Sequence, residues 1–363
     1  MIPQILKTTA KYLILFLITD VIFSNYIYKD DFSHSCSNSN NEFWELTPNC
    51  NVTEKYVKHS KAYKVLTDKN GLRFSGLPRD PKKKNIIFLG DSFTYGLGLS
   101  YEDTYIGYLE EKNLNYNLLN YGVIGYSPSV YHYQLNEIIS SKVNFDKIIL
   151  TLDISDFAEE SSQWSYENDD KFPTRINGFK KEVESETNFK ERNLKASRFV
   201  ASKINNFFRN IKLIFFKSVR EKNKIPGRSE MGRFLYTDIK DTDQILWSPL
   251  GFERGVKKIE EKIKIISTLA KSSNAEFYIL IWPWPDTLRF GQKKFNLEKF
   301  SKDLCIKSDC QKVINVIAEF ENIKKTDKNW LNNLFIHGDL HTNKLGNQVI
   351  GETIMKDVFS EIK

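Results

Sequence analysis

The 363-residue chain predicts an α/β fold: a three-layer sandwich on a mostly parallel five-stranded sheet, with a long helical insertion after the third strand. Three observations predict it. Short apolar runs of strand length recur from Asn85 onward, and stretches with apolar residues at helical spacing separate them. Between the third run and the fourth lie about 120 residues, too many for a crossover connection.

The elements follow in order. Ile5 to Tyr28 is apolar, has Lys7 and Lys11 on its amino side, and is long enough to cross a bilayer. That predicts a membrane anchor over residues 1–32 with the rest of the chain on the extracytoplasmic, periplasmic side. Asp20 opposes insertion by roughly 2.5–3.5 kcal/mol at a helix centre. A cleaved signal peptide is the alternative, although no small-x-small cleavage site follows. Residues 33–83 read as an extracytoplasmic spacer and N-terminal extension, opening with the Ser/Asn-rich "SHSCSNSNN" (33–41). The four cysteines fall into two near pairs, Cys36 with Cys50 and Cys305 with Cys310. This suits local disulfides in an oxidising compartment; neither pair has zinc-knuckle spacing nor an adjoining His cluster. No metal and no cofactor is expected.

The main domain is predicted over 84–363, with 157–250 as its insertion. "NIIFL" (85–89), "YNLLN" (116–120), "KIILTL" (147–152), "EFYILIW" (276–282) and "VINVI" (313–317) read as strands, and 127–142 and 252–273 as helices. Gly90 ends the first strand, so Ser92 stands just beyond a strand's carboxyl end, where open α/β sheets bind ligands. Alternatively, Asp91 and Ser92 only cap the next helix.

The net charge of +7 is uneven. Between Lys171 and Arg228 there are 16 Lys and Arg against 5 Asp and Glu, so this stretch carries +11 and the remainder −4. Within it, residues 198–219 alternate aromatic and basic positions as a basic amphipathic helix does. Such a helix packs on its parent domain, lies on a membrane surface, or steers an acidic glycan. A nucleic-acid partner is not expected, because an anchor and disulfides place the domain where nucleic acid is scarce.

A nucleophilic serine needs a base, a group to orient it and donors for the oxyanion. Of the five histidines, His337 and His341 lie in "FIHGDLHTNKLGNQVIGE" (335–352) before the last helix, with Asp339 two residues ahead of His341. The same segment also reads as a polar loop capping that helix through Thr342 or Asn343.

Taken jointly, "FLGDSFTYGLG", "LLNYGVIGYSP" (118–128) and "GDLHTNKLGN" (338–347) resemble the blocks of the SGNH (GDSL-type) hydrolases, in the same order, over Lys84 to Lys363. The resemblance implies an SGNH, flavodoxin-like sandwich with Ser92 as nucleophile and Asp339 and His341 as its triad partners. It implies an oxyanion hole of the Ser92 and Gly125 amides, and at the third block an Asn donor, where this chain has Ser155 before Asp156. A hydroxyl reaches less far than an amide, so a weakened or inactive enzyme that retains the fold for glycan binding or assembly is the alternative.

The expected activity is that of an esterase or O-acyltransferase acting on acyl, chiefly O-acetyl, esters of an envelope or exported polysaccharide. Other polysaccharide-modification proteins are the expected partners. Trp282 and Trp284 in "LIWPWPDTL" (280–288) stand at the sheet's ligand edge, either as aromatic platforms for a sugar ring or as core packing.

Overall fold

A computed structural model describes residues 2–22, 36–39, 44–56, 61–112, 114–162, 164–165, 174–175, 197, 250–292 and 295–359. The chain divides into two units, Met1–Ser33 with Gly178–Ile225, and His34–Asn177 with Pro226–Lys363. In the first, helix α1 spans Ile2–Ile22, and Asp20 accepts a hydrogen bond from the backbone N–H of Ser197 at 2.7 Å. Among the described residues no helix is long and apolar enough to cross a membrane; within Ile2–Ile22 the charges at Lys7, Lys11 and Asp20 leave Tyr12 to Thr19 as the longest uncharged run, and the expected segment continues past this helix. Residues 23–28 lie outside the described residues, as does the amphipathic stretch 198–219.

The second unit begins with an element that the sequence presents as a spacer and the structure shows folded. β1 (Ser37–Ser39) pairs antiparallel with β2 (Trp44–Leu46), and β3 (Asn51–Glu54) with β4 (Tyr63–Leu66). The Cys36–Cys50 disulfide joins these two hairpins. Cys36, Tyr63 and Val65 bury themselves against Tyr95 and Leu97, with Cys50, Val52, Tyr56 and Ile124 at the margin. This small second core is nucleated where polar composition gave no apolar signal.

The sheet follows. β5 (Lys84–Leu89), β6 (Tyr116–Asn120), β7 (Lys147–Leu152), β10 (Glu276–Ile281) and β11 (Lys312–Asn315) run parallel in the order β11-β10-β7-β5-β6. β8 (Trp164–Ser165) and β9 (Thr174–Arg175) form a separate short pair. Ile86 to Leu89 and Ile279 to Ile281 have no exposed surface, as expected of strands covered on both faces. Helices α2 (Ser92–Tyr95), α3 (Tyr105–Glu111), α4 (Pro128–Ser140), α5 (Ile154–Ser162) and α6 (Phe252–Ser272) precede α7 (Pro285–Phe290), α8 (Leu297–Ser308), α9 (Val316–Thr326), α10 (Trp330–Leu334) and α11 (Lys344–Val358). α6 packs on α4, α5 and α8, while α11 packs on α3, α9 and α10, giving two helical layers about the sheet.

From β5 the chain steps outward to β6 and then returns to the other side of β5 as β7. The crevice beyond the carboxyl ends of β5 and β7 is therefore the topological switch point, the usual ligand position in such sheets. The insertion starts later than expected: α5, through Ser162, belongs to the helical layer, and the N–H of Leu250 bonds the carbonyl of Ser161 at 3.1 Å. The chain thus returns where it left.

Both cysteine pairs are closed. They enclose sequence separations of 14 and 5 residues, and loop-closure entropy grows with loop length. Replacing Cys36 and Cys50 together by Ser should therefore destabilise the domain by about 3 kcal/mol, and replacing Cys305 and Cys310 by about 1 kcal/mol less. Guanidinium unfolding of the two double variants measures this; an equal or reversed order contradicts it.

Candidate active site

β5 delivers Gly90, Asp91 and Ser92 to the switch point. Asp91 is the N-cap of α2, its Oδ1 accepting from the N–H of Phe93 at 2.9 Å, so the capping reading of this stretch holds as well. Ser92 is the first residue of α2, where the amide has no partner within the helix. The far end of α2 is held by a residue absent from the sequence motifs. Arg73, fully buried, donates to the carbonyls of Tyr95 at 2.5 Å and Gly96 at 2.8 Å, and its guanidinium lies 4.7 Å from the Tyr95 ring centre. It thereby satisfies carbonyls that a short helix leaves open.

His341 stands on the loop between α10 and α11, which folds on itself through Phe335 paired with Thr342 and the Ile336 N–H bonded to the His341 carbonyl at 2.8 Å. Asn343 caps α11, and Asn347 accepts from the Tyr105 N–H at 2.9 Å, tying this end of the chain to α3. The loop brings Ser92 and His341 together: Oγ to Nε2 is 2.9 Å, and on the ring's other side Nδ1 to Asp339 Oδ1 is 2.6 Å. Asp339 also accepts the backbone N–H of His341 at 2.9 Å. Burial alone would raise the Asp339 carboxyl, but its bonds to His341 and the charge there hold it below the usual carboxylate range. With Nδ1–H donated to Asp339, Nε2 is left to accept the Ser92 hydroxyl proton. His337 is exposed and turned to Asn332.

Two further side chains frame the imidazole. Phe93 lies against it at 4.6 Å between ring centres, and Tyr56 meets it edge-on at 5.4 Å and 89°.

The second block reaches the site as a loop beyond β6. Its Gly122 lies so close to α2 that a Cβ there would stand 2.3 Å from the Tyr95 nitrogen. Gly125 has φ +75° in the turn closed by the Tyr126 N–H on the Val123 carbonyl. The loop is clamped from α5: Glu160, fully buried, accepts from the Ser127 hydroxyl at 2.6 Å and from the Ser129 N–H and hydroxyl, each at 2.7 Å. Lys258 completes the set at 3.0 Å from its carboxylate.

At the end of β7, Asp153 and Asp156 tie down the start of α5: Asp153 accepts from the Ser155 N–H at 2.5 Å, and Asp156 from the Asp153 N–H at 2.8 Å. The Ser155 hydroxyl also goes to Asp153 Oδ1, at 2.6 Å, and stands 3.5 Å from Asp91 Oδ2. Its expected role as oxyanion donor is therefore not what this geometry shows. A carboxylate is the stronger acceptor and takes the proton.

The aromatic platform also needs correction. Trp282 and Trp284 are 0 % and 2 % exposed; Trp282 packs on Phe93 at 4.9 Å and on Tyr105 at 5.8 Å. Prolines did not lift them out, because the strand end turns directly into α7 and carries both indoles against Phe93, the residue after Ser92. The sequence singled out neither Arg73, Asp153 and Glu160 nor Tyr56. Only the Asp-x-x-Asp spacing at 153–156 offered a signal, that of a helix N-terminus.

No protein-family model and no curated protein matches the sequence. Solved structures do resemble the chain. They include a member of the lipolytic G-D-S-L family from Veillonella parvula (14 % identity, 77 % of this chain and 100 % of that one, TM-score 0.40). A psychrotrophic esterase from Pseudoalteromonas is 11 % identical over 77 % of this chain and 99 % of that one, with a TM-score of 0.39. An acetylxylan esterase from Geobacillus stearothermophilus is 9 % identical over 76 % of this chain and 93 % of that one, with a TM-score of 0.41. The sheet order of this chain is that of an α/β sandwich, and its switch point holds a Ser-His-Asp line.

Three carboxyls under that line are shifted upward. Burial first, then the charge of Asp153, puts Asp91 well above 3.8; burial raises Asp153; burial, then Asp153 and Asp91, raises Asp156 well above the same value. Each folded-state value exceeds the unfolded one, so their contribution to stability is fully present below the unfolded value and is withdrawn as pH rises toward the folded one. The lowered Asp339 acts oppositely, but only at lower pH. Melting temperature should therefore fall from pH 5 to pH 8, and Asp91→Asn, which keeps an acceptor for Phe93, should reduce that fall. Scanning calorimetry at the two pH values checks it; a flat profile unchanged by the substitution contradicts it.

Proposed function

We propose that this chain is a serine hydrolase of the SGNH type that cleaves acyl esters through an acyl-serine intermediate. The observation that carries the reading is the continuous line from Ser92 Oγ to His341 Nε2 and from Nδ1 to Asp339. Ser92 Oγ bonds to the ester carbonyl carbon while its proton passes to Nε2, and Asp339 holds the imidazolium so formed. The carbonyl oxygen becomes an oxyanion, for which the backbone N–H groups of Ser92 and Gly125 are the donors in this reading. Collapse breaks the carbon–oxygen bond to the leaving alcohol, which takes the proton back from His341. Water, deprotonated by the same nitrogen, then attacks the acyl-Ser92 and releases the acid. A sugar hydroxyl in place of water would make the chain an O-acyltransferase.

The substrate reading is an O-acyl, chiefly O-acetyl, ester of an exported or envelope polysaccharide. It is supported by the two disulfides, which fit an extracellular or periplasmic compartment. The exposed apolar residues of α1 between Tyr12 and Ile18 are the surface through which the chain would associate with a membrane.

The capture of the Ser155 hydroxyl by Asp153 favours a second reading, a glycan-binding or assembly factor with little turnover. Hydrolysis of p-nitrophenyl acetate separates the two. The hydrolase reading expects turnover that Ser92→Ala and His341→Ala each lower by about 10³-fold or more, whereas His337→Ala stays within about twofold of wild type. A wild-type rate equal to that of Ser92→Ala rejects it in favour of the second.

A further inference from the structure

Resting on the hydrolase reading, we propose that Tyr56 is a positioning residue of the Ser92–His341–Asp339 line, and that the disulfide-closed extension carrying it is part of the active site. Tyr56 follows β3 and is half-buried. Its hydroxyl is 3.3 Å from His341 Nδ1. That nitrogen gives its proton to Asp339 at 2.6 Å and has no lone pair in the ring plane left to accept another. The Tyr56 proton therefore turns toward the other neighbour, the Asp339 carboxylate held on that same nitrogen. Burial, then the Asp339 charge, pushes the phenol upward, so it remains a donor.

Two consequences follow for the imidazole. With Phe93 against one face and the Tyr56 ring edge-on, the ring has one orientation, the one that aims Nε2 at Ser92. With its charge shared between two donors, the carboxylate pulls less strongly on a proton. The groups facing the pair from other elements are Ser92 on α2, Asp91 beneath it, and Asp153 at the end of β7, whose carboxyl is raised by burial and drawn back down in part by the charge of His341.

Tyr56 is set by the extension's own core. It packs at the margin of the cluster that holds Cys36, Tyr63 and Val65 against Tyr95 and Leu97, and Cys50 stands at the same margin. The disulfide loop thus fixes a strand whose next residues reach the catalytic histidine. A hydrolase core cut at Lys84 would lack both Tyr56 and the Arg73 cap on α2.

The test uses the full chain as wild type, as Tyr56→Phe, and as the double variant Cys36→Ser with Cys50→Ser. It reads kcat and KM for p-nitrophenyl acetate against pH, and separately follows the His341 imidazole titration by NMR. Tyr56→Phe keeps the ring and removes only the hydroxyl. It should lower kcat about tenfold, as expected for a lost hydrogen bond to a charged group, and leave KM within about twofold.

Without the donated bond Asp339 is more basic and holds both its own proton and the imidazolium charge more firmly. The acid limb of kcat and the NMR titration should therefore both move to higher pH. The cysteine variant should move them the same way. A Tyr56→Phe enzyme with the wild-type limb and titration overturns the positioning role, even if kcat falls. An unmoved limb in the cysteine variant overturns the part assigned to the extension. Because the titration needs no turnover, absence of ester hydrolysis in the wild type would end the hydrolase reading while the NMR result still decides the role of Tyr56.

Discussion

The contact between Ser92 Oγ and His341 Nε2 joins residues 249 positions apart, and most of what is distinctive in the second unit serves to hold those two atoms at 2.9 Å. One end of the contact rides on a four-residue helix, which by itself has too few internal bonds to be rigid. The other rides on a loop between two helices. Each is therefore secured from outside: α2 by the Asp91 cap and the buried Arg73, and the loop by Asn343 and Asn347, the latter reaching across to α3. Single hydrogen bonds contribute about 0.5–1.5 kcal/mol net. Their number here matters more than their strength, because they fix direction.

Around Ser92 and its neighbouring loops the molecule keeps buried acids. Asp91, Asp153, Asp156 and Glu160 are all at most 5 % exposed, and each accepts bonds from backbone or side-chain donors of the loops that form the site. A buried carboxyl is costly unless its oxygens find donors. Here the donors are those whose positions the site needs fixed: the Phe93 amide, the Ser155 amide, the Asp153 amide and the Ser127–Ser129 turn. The same arrangement has a chemical cost at the third block. Asp153 draws in the hydroxyl of Ser155, so the position where the resemblance implies an amide donor is occupied by a donor already in use.

The three inner strands were legible in the sequence because burial on both faces requires apolar runs of strand length, whereas at the edges the runs are mixed, and "VINVI" (313–317) overshoots because Val316 and Ile317 open α9. Ser92, Asp339 and His341 were legible because the chemistry restricts the residue types and the fold restricts their order. Tyr56 and Arg73 were not: their partners are a histidine ring and backbone carbonyls reached only in three dimensions, and they lie in a stretch whose polar, Ser/Asn-rich start reads as a linker. The extension folds because a disulfide, not an apolar run, organises its core. The tryptophans misled for the converse reason. Aromatic residues at a strand's exit suit a binding surface, yet α7 begins at Pro285 and turns them inward.

In the proposed hydrolase Ser92 is a nucleophile activated by His341 and Asp339. The most direct measurement is intact-mass and peptide mass spectrometry after brief exposure to an activated alkyl phosphonate, which adds covalently only to such a serine. A single adduct, located on Ser92, should form in the wild type and be lost in His341→Ala. No adduct on the folded wild-type chain, or one that forms equally fast without His341, would contradict it.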